Sequence, residues 1–164
     1  MTSNIADSLV QVFNDMFSYL DIDHKFLTEV PESSLNSTER VNTLVGITGE
    51  LEGNLMYSYT FKTAKDIGQK LMGTQDKLEV DFYLKAAVSD FFSEFSKRFT
   101  NLIKIANMYE SIDTSKGYTL LSSNPTYVAG ESMYGMISKV PSKKLFFKVN
   151  GEKFGIAYSL ANKL

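Results

Sequence analysis

Five polar side chains stand at helical spacing within one stretch of this chain: Asp90, Ser93, Glu94, Lys97 and Asn101. Steps of three, four and seven residues fall on one face of an α-helix, so two carboxylates, a hydroxyl, an ammonium and an amide form a single stripe. The chemistry such a stripe offers is recognition: it can read a partner. The plainer alternative is a solvated helix surface with no further role.

Other chemistries lack their residues. The chain has no cysteine, which excludes disulfides, thiolate zinc sites and cysteine nucleophiles. Its one histidine, His24, lies in Asp21-Ile22-Asp23-His24 and reads as a loop residue between a helix and a strand rather than as a catalytic base. Serine-hydrolase triads and zinc hydrolysis therefore lack the imidazoles they need. Net charge is −2 and the seventeen Lys and Arg residues are scattered, so no patch exists to neutralise a run of phosphates, and nucleic-acid binding is not expected. The start of the chain lacks a basic segment followed by an apolar run, and no stretch nears the ~20 apolar residues of a membrane span. The expected location is the cytoplasm, without membrane insertion.

The element that must carry the stripe is a long amphipathic helix from Val80 to about Met108. Its other side is apolar, with Leu84, Ala87, Val88, Phe91, Phe95 and Leu102 clustered and Phe92, Phe99 and Ile103 widening the arc. An arc that broad suits a helix laid across a sheet or another subunit, not a narrow coiled-coil seam. Before it, helical spacing runs from about Asn4 to Leu20, with Ser3 or Asn4 as N-cap. Lys25 to Val30 reads as a strand ended by Pro31, Glu32 to Thr38 as a loop, and Arg40 to Leu51 as a strand.

Apolar residues alternate on both sides of Glu52-Gly53-Asn54, which predicts a β-hairpin turning there. A helix from about Thr63 to Met72 stops at Gly73. After the long helix, Tyr118 to Val128 is extended with Pro125 inside it, which predicts an edge position or a bulge because proline cannot donate to the ladder. Ser132 to Val140 and Leu145 to Val149 read as strands, Asn150-Gly151 as a type I′ turn, and Lys153 to Leu160 as the last strand. The fold expected is a single α+β domain over residues 1–164, with a largely antiparallel sheet of six to seven strands, an N-terminal helix and two consecutive helices. With 164 residues the chain can bury about two-thirds of its unfolded surface without staples.

Several of these segments together resemble the CheX-like chemotaxis phosphatases, a family grouped with CheC and FliY. The resemblance rests on Val45-Gly-Ile-Thr-Gly-Glu-Leu-Glu-Gly-Asn-Leu-Met-Tyr-Ser58, the Leu71-Met72-Gly73 helix end, the long helix, Pro125-Thr-Tyr-Val-Ala-Gly130 and Tyr134-Gly-Met-Ile-Ser-Lys-Val-Pro141. It covers the chain from about Val41 onward. It implies an activity: removal of the aspartyl phosphate from a CheY-like response-regulator receiver by a Glu-x-x-Asn motif on the long helix. The asparagine would hold the attacking water and the glutamate would engage a receiver lysine, a positioning task like that of the glutamine in GTPases. No cofactor of the chain's own is implied, because Mg²⁺ arrives in the receiver's acidic pocket. Relatives of this kind are commonly homodimers, and an edge strand near Pro125 to Gly130, or the C-terminal hairpin, is expected to join two sheets.

The sequence departs from the family pattern at the motif. Counting without gaps from Leu71-Met72-Gly73 puts Asp90 and Ser93 at the two positions, giving Asp-x-x-Ser. A shift of one helical turn gives Glu94-x-x-Lys97, which keeps the acid and loses the amide. Two readings follow: a phosphatase using Asp90 and Ser93, or less directly Glu94 with a polar neighbour such as Asn101, and a non-catalytic module that docks a receiver or a second copy of itself. In both, Asp90, Ser93, Glu94, Lys97 and Asn101 form the partner face. A small-ligand sensor would rest only on the nine tyrosines and twelve phenylalanines, which are more simply core.

Overall fold

Strand side chains alternate between the two faces of a sheet, and here one face is aromatic and aliphatic on every long strand. In the computed structural model, which describes residues 2–28, 40–73, 80–110, 120–130 and 142–162, that face is covered by helices. The chain runs through α1 (Thr2–Tyr19), β1 (His24–Leu27), β2 (Arg40–Thr48), β3 (Leu51–Thr60), α2 (Phe61–Met72), α3 (Val80–Glu110), β4 (Leu121–Ser122), β5 (Thr126–Ala129), β6 (Lys143–Val149) and β7 (Glu152–Asn162). The strands form a seven-stranded sheet in the order β1-β6-β7-β3-β2-β4, with β5 also paired to β2. Every described pairing is antiparallel. This is the α+β architecture expected from the sequence.

The core lies between the sheet and α1 and α3. Phe13 of α1 stacks on Phe147 of β6 with centroids 3.9 Å apart, and Phe17 meets Phe154 of β7 at 5.7 Å and Phe91 of α3 at 5.3 Å. A smaller cluster of Met56, Phe146 and Ala157 lies on the other face, together with the buried Arg40, which donates to Ser58 Oγ, Ser58 O and Lys153 O. Burial of that guanidinium lowers its pKa to about 10, against the opposing pull of Glu152.

Several boundaries differ from the sequence reading. The β2–β3 turn is at Gly49-Glu50, not at Glu52-Gly53-Asn54: Ile47 pairs with Gly53 and Gly46 with Asn54, so Gly53 lies inside β3. Gly53 is needed there for close approach, since a Cβ would run into the backbone oxygen of Ser159 on β7, and its φ is +152°. Ser3 and Asn4 fall inside the first turn of α1 instead of capping it. β1 starts at His24 and ends at Leu27, ahead of the expected Val30. In the C-terminal hairpin β7 is paired on both sides, by β6 and β3, while β6 is paired along its length to β7 and from Phe146 to Val149 to β1.

Other features match. Thr60 caps α2 by accepting from Thr63 N, and Gly73 ends it in the left-handed conformation at φ 64°. Asn150 and Gly151 both have positive φ, as a type I′ turn requires. Pro125 separates β4 from β5, which pair with different parts of β2 at the margin of the sheet. The strand expected at Ser132 to Val140 and the loop from Glu32 to Thr38 lie outside the described residues.

Candidate functional site

The placement of α3 follows from its apolar arc. Leu84, Val88, Phe91, Phe92, Phe95, Phe99 and Ile103 are buried, and Ala87 and Leu102 are half-buried. Phe92 is the pivot. Its ring stacks on Tyr57 at 4.6 Å and on Tyr59 at 5.0 Å, both on β3, so it lies between two successive side chains of the same sheet face. Both phenols are fully buried and each finds a hydroxyl partner: Tyr57 Oη with Ser96 Oγ at 2.7 Å, and Tyr59 Oη with Thr43 Oγ1 at 2.7 Å. Ser96 Oγ also donates to Phe92 O at 2.8 Å, leaving the Tyr57 hydroxyl as the donor in the Tyr57 bond. Burial pushes both phenols well above their ordinary pKa.

A helix gripped on this side cannot roll, and the opposite side is fixed outward. Asp90, Glu94, Lys97 and Asn101 are exposed and Ser93 is half-buried at the flank of the stripe. All five residues singled out in the sequence are therefore brought onto one open face. Glu94 Oε1 accepts from Arg98 Nε at 3.1 Å, an i,i+4 pair with both side chains about half exposed. Toward its N-terminus the same helix packs Leu84 against Gly68 of α2, and Lys85 Nζ sits 5.4 Å from the Tyr127 ring of β5.

His24 is not part of this face. It opens β1, half-buried, with its Nδ1–H donating to Ile22 O at 2.7 Å and its ring 5.7 Å from that of Phe13. That is a packing role. Among the described residues no group of three or more His, Asp or Glu side chains is placed to hold a metal ion, and no helix is long and apolar enough to cross a membrane. A groove of about 390 Å³ lined by α1, β1 and β6, with Val10, Phe26 and Leu145 among its walls, is built from none of the stripe residues.

Sequence reasoning did not find the hydroxyl contact that fixes α3. Ser96 is the polar interruption of an apolar arc, which was the available signal, but its partner is 39 residues away on another element. The Glu94–Arg98 pair was readable from spacing alone.

No family model matches the chain. It is 23% identical over 146 residues to the CheY-P phosphatase CheX of Thermotoga maritima, a match spanning 86% of this chain and 88% of that protein. Among solved structures it is similar to the CheX of the CheX-CheY-BeF3-Mg²⁺ complex from Borrelia burgdorferi, with a TM-score of 0.63, 19% identity, and coverage of 98% of this chain and 97% of that one. The CheX of Desulfovibrio desulfuricans gives a TM-score of 0.64 at 18% identity over 96% of this chain and 99% of that one. Along most of its length the chain is thus similar in sequence to a CheX, and it shares the fold of the solved CheX structures.

Proposed function

We propose that this protein acts in two-component or chemotaxis signalling on a CheY-like receiver in the cytoplasm, docking it on the outward face of α3 and hydrolysing its aspartyl phosphate. The observation that carries the reading is the open stripe itself. Asp90 stands exposed and Ser93 half-buried at the flank of the same face, on a helix whose other side is locked into the core, in a fold like that of a CheX solved with CheY, BeF3 and Mg²⁺. The Thermotoga relative's name, a CheY-P phosphatase, supports the same reaction.

In this account the receiver supplies the aspartyl phosphate and its Mg²⁺. Asp90 pairs with a receiver cation and fixes the approach, while Ser93 Oγ hydrogen-bonds a water in line with the phosphorus. Water oxygen bonds to phosphorus as the acyl P–O bond breaks, leaving the receiver carboxylate and inorganic phosphate. Holding a water in line is a matter of placement, and displacements of about 1 Å cost rate. A serine reaches less far than an amide, so turnover is slow.

A second reading is a module that docks without turnover, and one observation favours it. Neither carboxylate of the stripe is followed three residues later by an amide: Ser93 follows Asp90, and Lys97 follows Glu94, whose carboxylate is already engaged by Arg98. Decay of a ³²P-labelled receiver, measured with the wild type, Asp90→Ala, Ser93→Ala and Ser93→Asn, separates the two. Accelerated decay that Asp90→Ala and Ser93→Ala abolish and Ser93→Asn strengthens is the expected result. Binding without acceleration leaves the docking module, and no binding removes both. We further propose a homodimer joined along the β4–β5 margin, which light scattering tests.

A further inference from the structure

The outward face of α3 is sorted into two files. Residues four apart lie along one ridge of a helix. Asp90, Glu94 and Arg98 make one such ridge, and Ser93, Lys97 and Asn101 make the next. The first is an acid ridge closed on itself at its end, because Glu94 is satisfied by Arg98 at 3.1 Å. The second holds three hydrogen-bond donors in a row, with the cation at the centre between a hydroxyl and an amide.

Among the described residues no side chain within a turn of Lys97 on the helix is paired with that cation. The positions three and four away from Lys97 are Ser93, Glu94, Thr100 and Asn101, and the one carboxylate among them is engaged by Arg98. Asp90 lies a further turn back, roughly 10 Å along the axis. Among the described residues Lys97 enters no salt bridge, and its ammonium is exposed. Thr100, which could have offered it a hydroxyl, is nearly buried and bonds the Lys97 carbonyl instead.

Resting on the receiver-docking reading above, we infer that Lys97, flanked by Ser93 and Asn101, is the group that grips the phosphoryl oxygens of the partner, so that this face selects the phosphorylated receiver over the unphosphorylated one. An ammonium donating to phosphoryl oxygen makes a charge-assisted bond about twice as strong as a neutral one. The same grip explains how a face without an amide after its carboxylates still discriminates by phosphorylation state: the ammonium reads the added negative charge, whether or not a water is then activated.

The test uses the full chain and a CheY-like receiver, free or loaded with BeF3 and Mg²⁺, with affinities from titration calorimetry. For the wild type the loaded receiver is expected to bind about tenfold or more tightly than the free one, the scale of a charge-assisted bond. In Lys97→Met, which keeps the length and removes the charge, that preference is expected to fall to near unity, whatever the change in affinity for the free receiver. Lys97→Arg is expected to restore it, and circular dichroism of each variant to match the wild type. An unaltered preference in Lys97→Met, or equal binding of both forms by the wild type, overturns the assignment while leaving docking in place. No binding of either form by the wild type overturns docking and this assignment with it.

Discussion

Replacing Tyr57 by phenylalanine should give a variant that is less stable than the wild type near neutrality and more stable in strong alkali. The ring and its 4.6 Å stacking on Phe92 survive the change, so only the hydroxyl bond to Ser96 Oγ is lost. Ser96 keeps its own bond to Phe92 O, leaving no donor stranded. A single neutral hydrogen bond contributes about 1 kcal/mol net, which for a chain of this size is about 2–4 °C in Tm. The phenol's ionisation opposes this at high pH. In the unfolded chain Tyr57 ionises at its ordinary pKa of 10.0, whereas burial in the folded protein holds the proton to well above that. The phenol's contribution is therefore whole below pH 10 and is lost as pH climbs toward the folded value, at about 1.4 kcal/mol per unit. The variant lacks this loss. Arg40, whose pKa is lowered by burial to about 10, works in the opposite direction but equally in both proteins, so it cancels in the comparison. With a deficit of about 1 kcal/mol recovered at that slope, the two stability curves cross near about pH 10.7. Guanidinium midpoints by circular dichroism at about pH 8, 10 and 11 measure it. If Tyr57→Phe stays below the wild type by the same margin at about pH 11, the phenol is not shielded and the account of how α3 is fixed fails.

Two further outcomes follow from the geometry, alongside the tests of Ser93 and Lys97 above. Gly53→Ala should cost several kcal/mol, because its Cβ meets backbone on β7 that cannot step aside, and denaturant titration should show this together with loss of the long β3–β7 pairing. Glu94→Gln should leave stability within about 0.5 kcal/mol, since its pair with Arg98 is half exposed and screened, so any larger fall in Tm would show that the pair holds the helix.

What the sequence determined by itself was whatever depends on neighbours within a turn or two. The apolar arc and polar stripe of α3, the stop of α2 at Gly73 and the Asn150-Gly151 turn are local geometry, written in residues no more than a few positions apart. The five candidate residues were legible for the same reason, since helical spacing puts them on one face and a broad apolar arc forces that face outward. Only the tertiary structure decided the rest. Gly49-Glu50 carries the β2–β3 turn because Gly53 is claimed by the close approach of β7, from a part of the chain over a hundred residues away. The C-terminal hairpin looked like a margin of the sheet, yet β3 runs beside β7 and β1 beside the Phe146–Val149 part of β6. The roll of α3 is set by Tyr57 meeting Ser96 and by the two tyrosines that hold Phe92, contacts between elements that no periodicity encodes. Helix and turn preferences act along the chain and can be read along it, whereas strand order, close approach and helix roll are settled by which distant surfaces fit together.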